Sequence, residues 1–146
     1  MFAAMVALLL PASFRLDENQ DENMIKALFV YNFTKQIEWP QGKITDHFVI
    51  GVVGKSLVYE RLYDILKNRK IKNLPVEIRR FSSTNKIKEF DMLYITNGEK
   101  EYLKMYGDLN DPYGVLIITE EKGNTIQNFC INIIEKDERM KFELNE

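Results

Sequence analysis

One histidine, one cysteine and one tryptophan occur in 146 residues, and each scarcity excludes something. His47 alone cannot build a multi-histidine metal site or a histidine-based triad. Cys130 alone cannot close an intramolecular disulfide, and it reads as a small buried hydrophobe. It also lies too far along the chain to be the lipid-bearing cysteine of a lipoprotein. Charge of one sign is missing too. Twenty basic residues face 22 acidic ones, a net charge of −2, which gives no electrostatic reason to expect nucleic acid as a partner. No apolar run approaches the roughly 20 residues of a membrane span. Linkers, internal repeats and low-complexity tracts are absent, so the length fits one domain with one core.

The longest apolar block stands at the start. "MFAAMVALLLPASF" runs apolar from Phe2 to Leu10, then gives Pro11 and the small residues Ala12 and Ser13. That is the pattern of a secretory signal, with residues 1–16 as the segment to be removed. The alternative is a terminal element of the fold. Once such a signal is cut off, nothing left in the chain can span a membrane.

Beyond it, strands and helices alternate. "QDENMIKALFVYNFTKQIEW" begins with capping residues, Asp21 or Asn23. It sets Ile25, Leu28, Phe29, Phe33 and Ile37 at helical spacing, and Pro40 ends it. "HFVIGVVG" (47–54), "DMLYITN" (91–97) and "GVLIITE" (114–120) read as buried strands, and "LPVEIRRF" (74–81) as a half-buried one. "SLVYERLYDILKNR" (56–69) is a helix with Ser56 as cap and Leu57, Leu62, Ile65 and Leu66 on one face. "STNKIKEF" is a short helical turn, and "EKEYLKMYGDL" (99–109) a further helix. "NFCINIIEKDERMKFELN" (128–145) forms an antiparallel hairpin about "EKDE". Ile131 and Ile133 lie on one arm, with Met140, Phe142 and Leu144 on the other. The fold class is therefore α/β: a single domain whose mixed sheet has about five to six strands. Its centre is parallel, its C-terminal hairpin antiparallel, and helices flank it.

Motif by motif, catalysis finds no foothold. "GVVGKS" (51–56) ends like a phosphate loop, but the pattern needs glycine at position 49 and Val49 stands there. A phosphoacceptor receiver domain needs acidic residues after its first strand, where this chain has Gly54 and Lys55, and Asp91 comes before its strand rather than after. The basic run "KNRKIK" (67–72) reads as the solvated end of a helix with its turn rather than a phosphate site. No pair of carboxylates has a distinctive spacing. Neither catalytic residues, metal nor cofactor is implied.

The order of "KALFVYNFTKQIEWP", "FVIGVVG", "DMLYIT", "GVLIITE" and "INIIEKDERMKFELN" resembles the YfiR-like family of exported bacterial proteins, over about residues 24–146. The resemblance implies a non-enzymatic regulator in the periplasm of a Gram-negative bacterium. Its partner would be the periplasmic part of an inner-membrane signalling protein, a diguanylate cyclase. Holding that cyclase down lowers cyclic-di-GMP signalling, adhesion and biofilm formation. Family members continue past this point with a further helical segment, so the resemblance also implies a chain truncated at its C-terminal helix. The family's cysteine pairs are absent, and no disulfide control carries over.

Two amides, Asn32 and Gln36, fall inside the apolar stripe of the first helix, where both are expected to be at least partly buried. One reading has them fixing the helix on the sheet, with Trp39 covering the core edge, its ring buried and its N–H in water. The other makes Asn32, Lys35 and Trp39 the border of a partner surface. "TEEKG" (119–123) carries Glu120 and Glu121 past a strand end, where α/β sheets hold ligands, so a periplasmic small-ligand binding protein is the alternative function. A homodimer is compatible with either.

Overall fold

A computed structural model describes residues 21–39, 46–82, 85–99, 101, 114–120 and 131–144. The signal-like segment 1–16, Pro40, Glu121, Cys130 and nearly all of the helix expected over 99–109 lie outside them.

The chain begins with α1 (Glu22–Gln36), capped at Asp21, whose carboxylate accepts from the Asn23 amide at 3.0 Å. β1 (Phe48–Val53) follows, buried along its whole length as its unbroken run of apolar residues and glycine requires. In α2 (Val58–Leu66) the buried residues are Val58, Leu62 and Leu66, a strict four-residue repeat. Leu57, expected on that face, is 57% exposed, because the helix starts one residue later and Val58 takes the inward position. Ser56, expected as the cap, stands one residue before the N-cap Leu57, and its Oγ accepts from the Val58 amide at 3.1 Å. Then come β2 (Lys70–Ile71), β3 (Leu74–Arg80), a single 3₁₀ turn over Ile87–Glu89, β4 (Met92–Ile95), β5 (Leu116–Thr119), β6 (Ile131–Lys136) and β7 (Arg139–Leu144).

The sheet has seven strands in the order β2-β3-β1-β4-β5-β6-β7, against the five to six expected. The additional one is β2, inside the basic run read as a helix end and turn. Lys70 and Ile71 pair antiparallel with Pro75 and Leu74 through a two-residue turn, Lys72-Asn73. Both turn residues have positive φ (51° and 64°), the geometry that matches strand twist in a hairpin. Strands β3, β1, β4, β5 and β6 are all parallel, and β7 returns antiparallel with Ile131 opposite Leu144 and Ile133 opposite Phe142, the pairing of arms read from the alternation.

Residues alternate between two cores. Phe48, Ile50, Val52, Met92, Tyr94, Ile118, Ile131 and Ile133 face α1 and α2. Val49, Val53, Leu93, Ile95 and Ile117 join Phe81, Ile87 and Phe90 on the other face. There the Phe90 ring fills the space over Gly51, where an added Cβ would stand 2.7 Å from it. Asp91 ties β4 to β1, since its carboxylate accepts from the Val49 amide at 2.9 Å. On the helical face Phe29 and Phe33 meet Phe142 edge-on at centroid distances of 6.0 and 5.2 Å, so α1 holds the C-terminal hairpin as well as the sheet. Trp39, beyond the end of α1, packs edge-on against Phe48 at the start of β1 (4.8 Å). Helix α1 therefore runs opposite to the parallel strands.

Candidate functional site

Because α1 is antiparallel to the sheet, its two ends make two different places. Its first turns lie over the carboxyl ends of the strands, and its last turn lies over their amino ends.

At the carboxyl ends, Lys26 reaches from α1 to Glu120, just past β5, at 2.5 Å, and to Glu22 one turn back at 2.6 Å. The Lys26 and Glu120 side chains are only 14% and 9% exposed. Burial works against the Lys26 charge, but the hydrogen bonds to Glu120 and Glu22 outweigh it and raise the ammonium above its ordinary value. The second Glu120 oxygen accepts from the Asn97 amide beyond β4 (3.3 Å). Tyr94 ends in the same place, its hydroxyl buried and without a hydrogen-bond partner among the described residues. Burial first, and then the Glu120 charge, push this phenol well above its ordinary value. Thr119 donates to Asn132 Oδ1 at 2.9 Å, joining β5 to β6.

Beside this network, among the described residues, the ends of β1 and β4 pack closely. Gly54 follows β1 with φ +88°, and an added Cβ would stand 2.1 Å from Thr96 Oγ1 and 2.7 Å from Glu99 Cγ. Thr96 Oγ1 in turn donates to the Val53 carbonyl (2.9 Å). Thr96 and Gly54 thus lock the ends of β1 and β4 together.

At the other end, Lys35 Nζ sits 4.0 Å above the Tyr31 ring, and Arg69 donates to the Tyr31 hydroxyl at 2.8 Å. These two cations lower the Tyr31 phenol from its ordinary value, through the Lys35 contact first. Trp39 is buried, and its Nε1–H donates to the Thr34 carbonyl at 3.2 Å instead of reaching water, which corrects the expectation. Lys72 closes over it, donating to the Trp39 carbonyl at 2.9 Å. A cleft of about 240 Å³ opens between this helix end and β2, lined by Tyr31, Thr34, Lys35, Ile37, Trp39, Lys70, Ile71 and Lys72.

The amides resolve unequally. Asn32 is half-buried, but Gln36 is exposed, because the helix's buried arc runs through Phe29, Val30, Phe33 and Thr34 and leaves position 36 outside it. Of the five residues singled out in the sequence, Asn32, Lys35 and Trp39 share the last turn of α1 and its exit. Glu120 belongs to the opposite end. Lys26 and Lys35 are nine residues apart, about 13 Å at 1.5 Å per helical residue. Sequence reasoning missed Lys26 and Tyr94, which meet Glu120 only through the fold, and it read the basic residues on and before β2 as a helix end with its turn.

No helix among the described residues is long and apolar enough to cross a membrane. No group of three or more His, Cys, Asp or Glu among them could hold a metal ion. Compared with known proteins, residues 23–146 match the family model described as YfiR/HmsC-like. None of the curated proteins matches the chain.

Proposed function

The chain belongs to the YfiR/HmsC-like family, and from that membership we propose that it is a non-enzymatic periplasmic regulator controlling a membrane signalling protein by direct contact. Proteins of this family are periplasmic in general. In this reading the apolar N-terminal segment exports the chain, and the folded domain meets the periplasmic part of an inner-membrane diguanylate cyclase. The observation that carries the reading is the extent of the family match, which takes in α1, the whole sheet and the C-terminal hairpin. The ends of α1 supply its contact surface: Asn32, Lys35 and the rim of Trp39 at one end, and Glu120 with Glu121 at the other.

The chemistry of both ends agrees with contact rather than turnover. Carboxylate and ammonium at the Glu120 end neutralise each other, and the Lys35 end offers cations over an aromatic floor. The test is a pull-down of the purified domain against the periplasmic part of the membrane cyclase or kinase encoded beside it. Binding that weakens with Lys35→Glu supports the reading. No binding at micromolar concentrations, or cyclase output unchanged when the chain is deleted, overturns it.

A further inference from the structure

Several acceptors at the end of α1, beside the cleft, are already engaged. Helix C-termini ordinarily leave carbonyls open. Here the Tyr31 carbonyl accepts from Thr34 Oγ1 (2.6 Å), the Phe33 carbonyl from the Ile37 amide (3.1 Å) and the Thr34 carbonyl from Trp39 Nε1 (3.2 Å). The Trp39 carbonyl is covered by Lys72. Three carbonyls of the helix's last turns are thus taken up by the chain's own groups.

What remains pointing outward is positive. Lys35, Lys70 and Lys72 line the cleft, which has no carboxylate among its described lining residues. Arg69, beside it, spends one nitrogen on Tyr31 and another on the Ile65 carbonyl. No carboxylate among the described residues forms a salt bridge with any of these four cations, in contrast to Lys26, Arg61, Arg79 and Arg80, each of which has at least one. The floor is rigid, because Trp39 is fixed by its hydrogen bond and by Phe48. In a protein of net charge −2, such a cluster of uncompensated cations around a small concavity is a recognition feature.

We propose that the cleft between the last turn of α1, Trp39 and β2 binds a small phosphate-bearing ligand, with Lys35, Lys70 and Lys72 holding the phosphate and the Tyr31 and Trp39 rings bordering the group that carries it. Lysine ammonium groups lining one cleft suit the phosphate's oxygens, and the cleft's volume suits one small ring or headgroup fragment. The proposal rests on the reading of this helix end as a functional face, and it adds the chemistry that the face recognises. A free phosphate ester and a phospholipid headgroup share that chemistry.

The experiment titrates the purified domain with phenyl phosphate, with inorganic phosphate, and with phosphatidylcholine vesicles doped with phosphatidic acid. The readouts are Trp39 fluorescence and the backbone amide shifts of residues 31–39 and 69–72, at constant ionic strength. Saturable shifts confined to those residues with phenyl phosphate assign a soluble ligand, and a response to doped vesicles alone assigns a headgroup. Lys35→Ala and Lys70→Ala, both at exposed positions, are each expected to weaken binding roughly tenfold, the loss of one charge-assisted hydrogen bond. No response to any of the three probes overturns the proposal, and so does binding unchanged in the Lys35→Ala/Lys70→Ala double variant or matched by chloride. The same double variant in the partner pull-down separates the two ideas. Partner binding retained while phosphate binding is lost leaves the regulatory reading standing alone, and partner binding absent in the wild type with phosphate still bound removes that reading without touching the cleft.

Discussion

Lys26 on α1 and Glu120 at the end of β5 bond at 2.5 Å, and this one contact pins the first turns of the helix over the carboxyl ends of the strands. Both side chains are largely shielded from water, so removing one leaves the other's charge in a poorly solvated place. Glu120→Ala is expected to destabilise the domain by about 2 kcal/mol, at the modest end for a broken buried pair because Lys26 keeps Glu22. Replacing both partners by apolar residues, Lys26→Met with Glu120→Leu, should recover most of that loss. Urea unfolding followed by circular dichroism measures both. An unchanged midpoint in Glu120→Ala would show that the pair contributes nothing.

The N-cap of α1 gives the acid limb of stability a named source. Arg61 of α2 donates to the Asp21 carboxylate at 2.5 Å, and this bond, ahead of the Asn23 amide, lowers the carboxyl below its ordinary value of 3.8. A carboxylate whose folded pKa is depressed contributes stability that is present above the unfolded value and lost as pH falls through the folded one. The loss therefore begins below about pH 4. Arg61→Ala is expected to flatten that part of the profile and to leave its shape unchanged above pH 5. Thermal melts across pH 2 to 7 for both proteins test it, and identical acid limbs would count against the assignment.

Gly54 and Gly98 form a controlled pair. Both have positive φ, +88° and +89°, but an added Cβ at Gly54 runs into Thr96 Oγ1 at 2.1 Å, whereas at Gly98 it meets nothing within 4 Å. Gly98→Ala should cost only the backbone strain, about 1 kcal/mol. Gly54→Ala must also displace Thr96 from the Val53 carbonyl, and a loss of about 2 to 4 kcal/mol is expected. Equal destabilisation of the two variants would mean that the strand-end lock is not held by Thr96.

Most of the architecture was legible because the parallel strands are continuous apolar runs and the hairpin alternates strictly. Periodicity places Ile131 and Ile133 on one arm and Met140, Phe142 and Leu144 on the other, and the structure pairs Ile131 with Leu144 and Ile133 with Phe142. What stayed hidden depended on geometry that no periodicity records. β2 is two residues long, too short for any period, and it exists because Lys72-Asn73 turns tightly enough for Ile71 to pair with Leu74. Leu57 and Val58 are both apolar, so only the true start of the helix decides which faces inward. Glu120 was recognised as a strand-end carboxylate, but its partner Lys26 sat in the sequence as one more polar residue of an amphipathic helix. Trp39 looked like a rim residue because nothing local shows that its N–H turns back to Thr34. The Lys35 cleft needed β2 before it could be seen at all.

The β6–β7 hairpin turns on Asp137 and Glu138, with φ 55° and 57°. Two consecutive left-handed residues define the turn type that matches the strand twist, and glycine or asparagine normally fills it. The β6–β7 turn uses neither, so each residue carries steric strain of about 1 kcal/mol that the paired strands and the Phe142 contacts hold in place. Glu138→Gly is therefore expected to stabilise the domain by up to about 1 kcal/mol, relief of strain outweighing the added freedom of the unfolded chain. Asp137→Asn should act in the same direction more weakly, and combining the two gives an Asn-Gly turn. The hairpin's exposed edge is β7, so the gain should also appear as slower amide exchange along Arg139–Leu144. Destabilisation by Glu138→Gly, with faster exchange there, would show that the Glu138 side chain contributes more than its backbone strain costs.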